Sequence, residues 1–152
     1  LNLMMDLRDR YGLAYLFISH DLNIVKLMTT KIAVMYAGRI VEQGPTQTLF
    51  NHPKHPYTQA LLEAVPHIYP SKKKSNFGNK SVPKISGSKI EPFSNNGCAY
   101  ASRCPVVEEK CITMSPDLQN IQTGSSAYFK NNPQVINHKV ACHKPFTDLF
   151  RS

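Results

Sequence analysis

No stretch of this sequence approaches the ~18 consecutive apolar residues of a membrane-spanning helix, so nothing in it reads as a transmembrane segment. The opening Leu1-Asn2-Leu3-Met4-Met5-Asp6-Leu7-Arg8 lacks a basic segment followed by an apolar block, which argues against a secretory signal. A methionine is missing from position 1, and the expectation is a piece of something longer. Internal repeats are absent too. Acidic residues are scarce beside basic ones, 10 against 18, for a net charge of +8. What is there, 152 residues of which 41% are hydrophobic, suits one modest domain or a small domain with an appendage.

The basic excess is local. Residues 1–65 hold six Lys/Arg and five Asp/Glu, residues 66–96 six and one, and residues 97–152 six and four. The middle stretch, Ser71-Lys72-Lys73-Lys74-Ser75-Asn76-Phe77-Gly78-Asn79-Lys80, has few large apolar groups to bury. It reads as a solvated linker, extended or disordered over residues 71–93. A basic loop touching phosphates or anionic lipid headgroups is the competing reading. Nucleic-acid binding is disfavoured, because aromatic side chains are not interleaved with the lysines as a base-stacking platform requires.

Residues 1–65 read as alternating helix and strand. Leu3, Met4, Leu7 and Tyr11 recur at helical spacing, and Gly12 accepts the positive φ that ends a helix. Leu13-Ala14-Tyr15-Leu16-Phe17-Ile18 is a short continuous apolar run, the pattern of a strand covered on both faces in a parallel sheet. A short helix follows through Leu22, Val25, Leu27 and Met28, with Ser19 or Asp21 able to cap it. Lys31 to Tyr36 predicts a strand, Ala37-Gly38 a turn, and Arg39 to Gln43 the return strand of a hairpin closed by Gly44-Pro45. Thr46 is the expected cap of a helix through Phe50. A further helix is expected from Tyr57 to Val65, presenting Tyr57, Leu61, Ala64 and Val65 on one face, after a rigid corner, His52-Pro53-Lys54-His55-Pro56. Pro-separated histidines do not share a helix face, so His52 and His55 are not read as a metal pair.

Residues 97–152 are organised by cysteine: five residues separate Cys98 from Cys104, six Cys104 from Cys111, and thirty Cys111 from Cys142. Apolar material is sparse outside Pro105-Val106-Val107 and Val140-Ala141, and a core that weak needs a covalent or metal staple.

Ser19-His20-Asp21 is the first candidate for chemistry. Ligands of open parallel sheets bind beyond the carboxyl ends of strands, and an imidazole on a strand-to-helix turn there can stabilise charge in phosphoryl transfer. No Ser/His/Asp triad can be argued: Asp21 adjoins His20, and no serine sits in a nucleophile elbow.

The order of apolar run, Ser-His-Asp, helix, Ile32-Ala33-Val34-Met35-Tyr36-Ala37-Gly38-Arg39-Ile40-Val41-Glu42-Gln43-Gly44, short helix and His52-Pro53-Lys54-His55-Pro56-Tyr57-Thr58 resembles the carboxyl-terminal part of the ATP-binding subunit of ABC transporters. The likeness is to the oligopeptide/dipeptide importer family. It continues through Gly97-Cys98-Ala99-Tyr100-Ala101-Ser102-Arg103-Cys104-Pro105, Cys111, Ser115-Pro116-Asp117-Leu118 and Val140-Ala141-Cys142-His143. The resemblance implies an α/β fold: the carboxyl-terminal strands and helices of a P-loop-type ATPase domain (1–65), the linker (66–96), and a small, mostly irregular cysteine-ligated extension (97–152). It makes His20 the switch histidine on the γ-phosphate of ATP. It also implies ATP and Mg²⁺ as ligands of the full-length subunit, and as partners a second ATP-binding subunit, transmembrane permease subunits and, indirectly, a solute-binding protein. The location it implies is the cytoplasmic face of a bacterial inner membrane. A Gly-rich loop ending in Gly-Lys-Ser/Thr, a Leu-Ser-Gly-Gly-Gln signature and an Asp-Glu pair after an apolar strand are all missing, so this chain alone should not hydrolyse ATP.

A cytoplasmic location disfavours disulfides among the cysteines. Zinc is an alternative, but its structural sites carry a tighter Cys pair than any here. The resemblance implies a [4Fe-4S] cluster on Cys98, Cys104, Cys111 and Cys142. His138 and His143 are candidate replacements for one cysteine, although His143, beside Cys142, reads rather as a neighbouring or surface residue. A free-standing iron–sulfur or zinc module with a nucleic-acid-binding linker is the alternative function.

Overall fold

The computed structural model describes residues 1–64, 96–121 and 137–145. The expected linker falls outside the described residues except for Asn96, and Lys72-Lys73-Lys74 and Val65 lie outside them as well.

The chain opens with α1 (Asn2–Tyr11), ended by Gly12 at φ 63°, and continues to α2 (Leu22–Met28). Its centre is a hairpin of β1 (Lys31–Tyr36) and β2 (Arg39–Pro45). Ala37 and Gly38 turn that hairpin with φ of 47° and 77°, the two left-handed residues whose twist matches the flanking strands. Register slips by one residue between Val34 and Met35: Val34 faces Glu42, Met35 faces Ile40, and Val41 is the extra residue of a bulge. Two helices follow, α3 (Thr46–Asn51) and α4 (Pro56–Glu63), the second with proline at its first position, where no N–H is needed. The last part holds a 3₁₀ turn (Ala101–Arg103), α5 (Glu109–Thr113), β3 (Gln119–Asn120) and β4 (Lys139–Val140).

The four strands form one sheet in the order β1-β2-β4-β3, with every pairing antiparallel. β4 enters between β2 and β3, so Val140 faces Glu42 on one side and Gln119 on the other. The bulged Val41 also accepts the N–H of Ala141 at 2.8 Å, carrying the connection one residue beyond β4. Cys142, remote in sequence, is thereby fixed against the hairpin.

Two small apolar clusters flank this sheet. One is Val34, Val41 and Leu49; the other is Tyr100, Ala101, Cys104, Val107 and Cys111, and Tyr36 and Tyr57 pack against both. Rings of Tyr36, Tyr57 and Tyr100 meet at centroid distances of 4.6, 5.2 and 5.4 Å. The cysteine segment, poor in apolar residues of its own, borrows these rings as its core.

Three expectations change. The run from Leu13 to Ile18 is not a strand; Leu16 and Ile18 are 93% and 90% exposed, and no described segment pairs with it. A ladder needs a partner, and the antiparallel sheet here supplies none, so the parallel arrangement is not seen among the described residues. Thr46 does not cap α3: Pro45 holds that position, and the Thr46 hydroxyl bonds Thr29 Oγ1 at 3.0 Å instead. Helix α4 ends at Glu63, with Ala64 as its cap. Among the described residues no helix is long and apolar enough to cross a membrane.

Candidate functional site

His20 lies on the exposed bend before α2. Its backbone is held from both sides: Ser19 Oγ accepts the N–H of Asp21 at 3.0 Å, and Asp21 Oδ1 accepts those of Asn23 and Ile24 at 2.9 and 3.3 Å. Asp21 is thus the cap of α2, a structural duty that removes it from chemistry and leaves the neighbouring imidazole free to face solvent.

All four cysteines are free thiols. Cys98 and Cys111 are drawn together by a hydrogen bond from the Cys98 N–H to the Cys111 carbonyl at 2.7 Å. Gly97 permits that approach, since a Cβ there would run into the carbonyls of Cys111 and Ile112. Cys104 follows the 3₁₀ turn and donates its N–H to Ala101 O at 3.2 Å, while Cys142 arrives just after β4. The result is one cavity lined by Cys98, Cys104, Cys111 and Cys142 together. Among the described residues no three His, Cys, Asp or Glu groups are set to hold one metal ion.

Burial dominates the protonation of Cys98, Cys104 and Cys142. Desolvation raises Cys98, takes Cys104 up to about 11 and Cys142 up to about 12, and neighbouring cysteines add to each rise. Without a cation they are therefore neutral near pH 7. A bound cation inverts that preference, because it stabilises thiolate directly.

The histidines are sorted by their partners. His138, 2% exposed, bonds Glu42 Oε1 through Nε2 at 2.7 Å. His143 Nε2 bonds the Met114 carbonyl at 2.8 Å. Both have alternative duties, which weighs against either as a substitute ligand. His55 is the residue the sequence reading undervalued: it caps α4 through Nδ1, which accepts the Tyr57 N–H at 3.0 Å, and its ring also lines the cysteine cavity. Glu42 was missed altogether. A charged residue in a predicted strand gives little warning, yet Glu42 is fully buried and accepts the N–H groups of Lys54 at 2.7 Å and His55 at 2.9 Å as well as bonding His138.

Comparison with known proteins identifies this cysteine-bearing unit. A family model described as the C-terminal region of the oligopeptide/dipeptide transporter matches residues 41–111, from the bulged Val41 to Cys111. Residues 41–111 are thus similar to the C-terminal region of oligopeptide/dipeptide transporters. Similarity extends well outside them. The chain is 42% identical over 125 residues, 82% of its length, to a dipeptide transport ATP-binding protein of Haemophilus influenzae, and covers 36% of that protein. It is 42% identical over 121 residues, 79% of its length, to the dipeptide transport ATP-binding protein of Escherichia coli, covering 34% of it. With a di/tripeptide transport ATP-binding protein of Pseudomonas aeruginosa the identity is 41% over 144 residues, 94% of this chain and 38% of the relative. The chain thus spans about a third of the length of the curated relatives it matches.

Proposed function

We propose that this chain is the carboxyl-terminal part of the ATP-binding subunit of an oligopeptide/dipeptide importer, which in full length couples ATP hydrolysis to solute uptake. The observation that carries the reading is the identity of about two residues in five with peptide-transport ATP-binding proteins over most of this chain. In this reading residues 1–65 complete an ATPase domain, 66–96 are a linker and 97–152 are the extension. The subunit sits peripherally on the cytoplasmic face of the inner membrane, beside permease subunits and a second ATP-binding subunit.

His20 is assigned to the γ-phosphate of bound ATP. What supports this is its place on a bend fixed by Ser19 and Asp21, exposed and ready to face a nucleotide held by other parts of the subunit. An imidazole N–H donated to a phosphate oxygen stabilises charge in transfer and does little for binding. The test is the full-length subunit: His20→Ala should abolish or sharply reduce turnover while nucleotide affinity falls less. Equal loss of both would make His20 structural.

Cys98, Cys104, Cys111 and Cys142 are assigned to a [4Fe-4S] cluster. What supports this is the donor set, four free thiols lining one cavity, at sequence intervals wider than the tight Cys pair of structural zinc sites. When bound, such a cluster supplies four covalent cross-links and a one-electron couple. Anaerobically prepared protein should be brown with iron and acid-labile sulfide in equal amounts, and each Cys→Ser change should lower the loading. One tightly held zinc without sulfide would replace the cluster by zinc.

A further inference from the structure

The geometry points to His55 as a hydrogen-bond donor to the group held by the four cysteines, a role that deepens the cluster reading and rests on it. His55 opens α4, and its Nδ1 accepts the Tyr57 N–H at 3.0 Å. A ring nitrogen that accepts carries no proton, so the neutral imidazole must hold its proton on Nε2. The tautomer is thus set by the backbone of the helix it caps. The ring is 1% exposed, lies at 5.9 Å from the Tyr100 ring, and lines the same cavity as Cys98, Cys104, Cys111 and Cys142.

Its position is unusually constrained. The His55 N–H donates to Glu42 Oε2 at 2.9 Å, and the other oxygen of that carboxylate bonds His138 at 2.7 Å and accepts the Lys54 N–H at 2.7 Å. Backbone and ring are therefore each anchored, one to β2 and one to α4. Two other polar side chains lining the cavity have partners elsewhere: His143 bonds Met114 O at 2.8 Å and Lys144 bonds Glu108 at 2.7 Å. His55 and Tyr100 are the remaining polar residues of the lining, and His55 is a fixed, neutral N–H donor there. Hydrogen bonds to cluster or cysteinyl sulfur stabilise the more negative, reduced state and raise the reduction potential, and donors that hold a ligating sulfur in this way also slow ligand loss.

Two substitutions separate this role from capping. In His55→Asn, Oδ1 can still accept the Tyr57 N–H as a good helix cap, but nothing extends to the place of Nε2. In His55→Gln the amide N–H₂ reaches about as far as Nε2, while the cap is weakened. The whole chain is reconstituted anaerobically in all three forms, and the midpoint potential, the rate of iron release to a chelator and the melting temperature are measured. The expected result is an Asn form that melts like the parent, has a more negative potential and releases iron several-fold faster, and a Gln form that melts lower yet recovers the parental potential. An Asn form with parental potential and release rate overturns the donor role, as does a potential that merely follows stability in both variants. A parent protein that takes up no iron and sulfide at all overturns the cluster reading itself, and is told apart by the metal and sulfide content of the parent alone.

Discussion

Glu42 accepts two backbone N–H groups and bonds one imidazole in a place that water does not reach. Those partners come from the proline corner and from the end of the chain, so one carboxylate ties three separated segments. Glu42→Ala strands buried donors and should cost about 3–5 kcal/mol, read as a lower urea midpoint. Gly97 makes a different kind of demand. A methyl group there meets the carbonyls of Cys111 and Ile112, so Gly97→Ala must pull Cys98 away from Cys111. Under the cluster proposal, loading should fall as expected for Cys98→Ser, though every thiol is retained. His55 adds a pH dependence in the metal-free chain. Burial lowers it from 6.5 to about 4, with Glu42 opposing weakly. Between those values the unfolded chain binds the extra proton, so its contribution to stability is complete above about pH 6.5 and declines as pH falls toward 4, by up to ~1.4 kcal/mol per pH unit. Denaturation at pH 7, 6 and 5 should show that slope, and His55→Asn should flatten it.

Among the elements, the hairpin turn carries a residue that its conformation does not favour. Ala37 sits exposed at φ 47°, where a Cβ costs roughly 1–2 kcal/mol, and Gly38 follows at φ 77°. Asn-Gly is the preferred pair for such a turn, and Ala37→Asn should stabilise the chain by about 0.5–1 kcal/mol in a denaturant titration, without altering cluster loading. The hairpin itself was legible because strand-forming Ile32, Val34, Tyr36, Ile40 and Val41 flank a short Ala37-Gly38 turn. The run from Leu13 to Ile18 misled: six apolar residues signal burial, but whether they become a strand depends on a partner that the run does not contain.

At the scale of the whole molecule, the chain holds one candidate phosphate-contacting group and no phosphate loop, signature or acidic pair. Catalysis of phosphoryl transfer is nearly all positioning and electrostatics, so the purified 152-residue chain should show no ATPase activity above background. Turnover that survives His20→Ala would show that the motif has been misread. The two clusters share Tyr36 and Tyr57, which makes the cysteine unit and the hairpin mutually dependent. If the cysteines hold the proposed cluster, its removal should therefore lower the melting temperature of the hairpin as well as of the extension, visible as one transition rather than two.

The sequence by itself determined the local elements. Gly12, Asp21, the Ala37-Gly38 turn and Pro56 each act within a few residues, where backbone sterics and caps operate. Tertiary structure alone decided how distant parts meet. Inserting β4 between β2 and β3 joins Val140 to Glu42 across ninety-odd residues, places Cys142 with the other three thiols, and turns His55 from a corner residue into a cavity wall. Such contacts arise from burial and hydrogen-bond satisfaction among segments remote in the chain, and no local pattern in either segment encodes its partner.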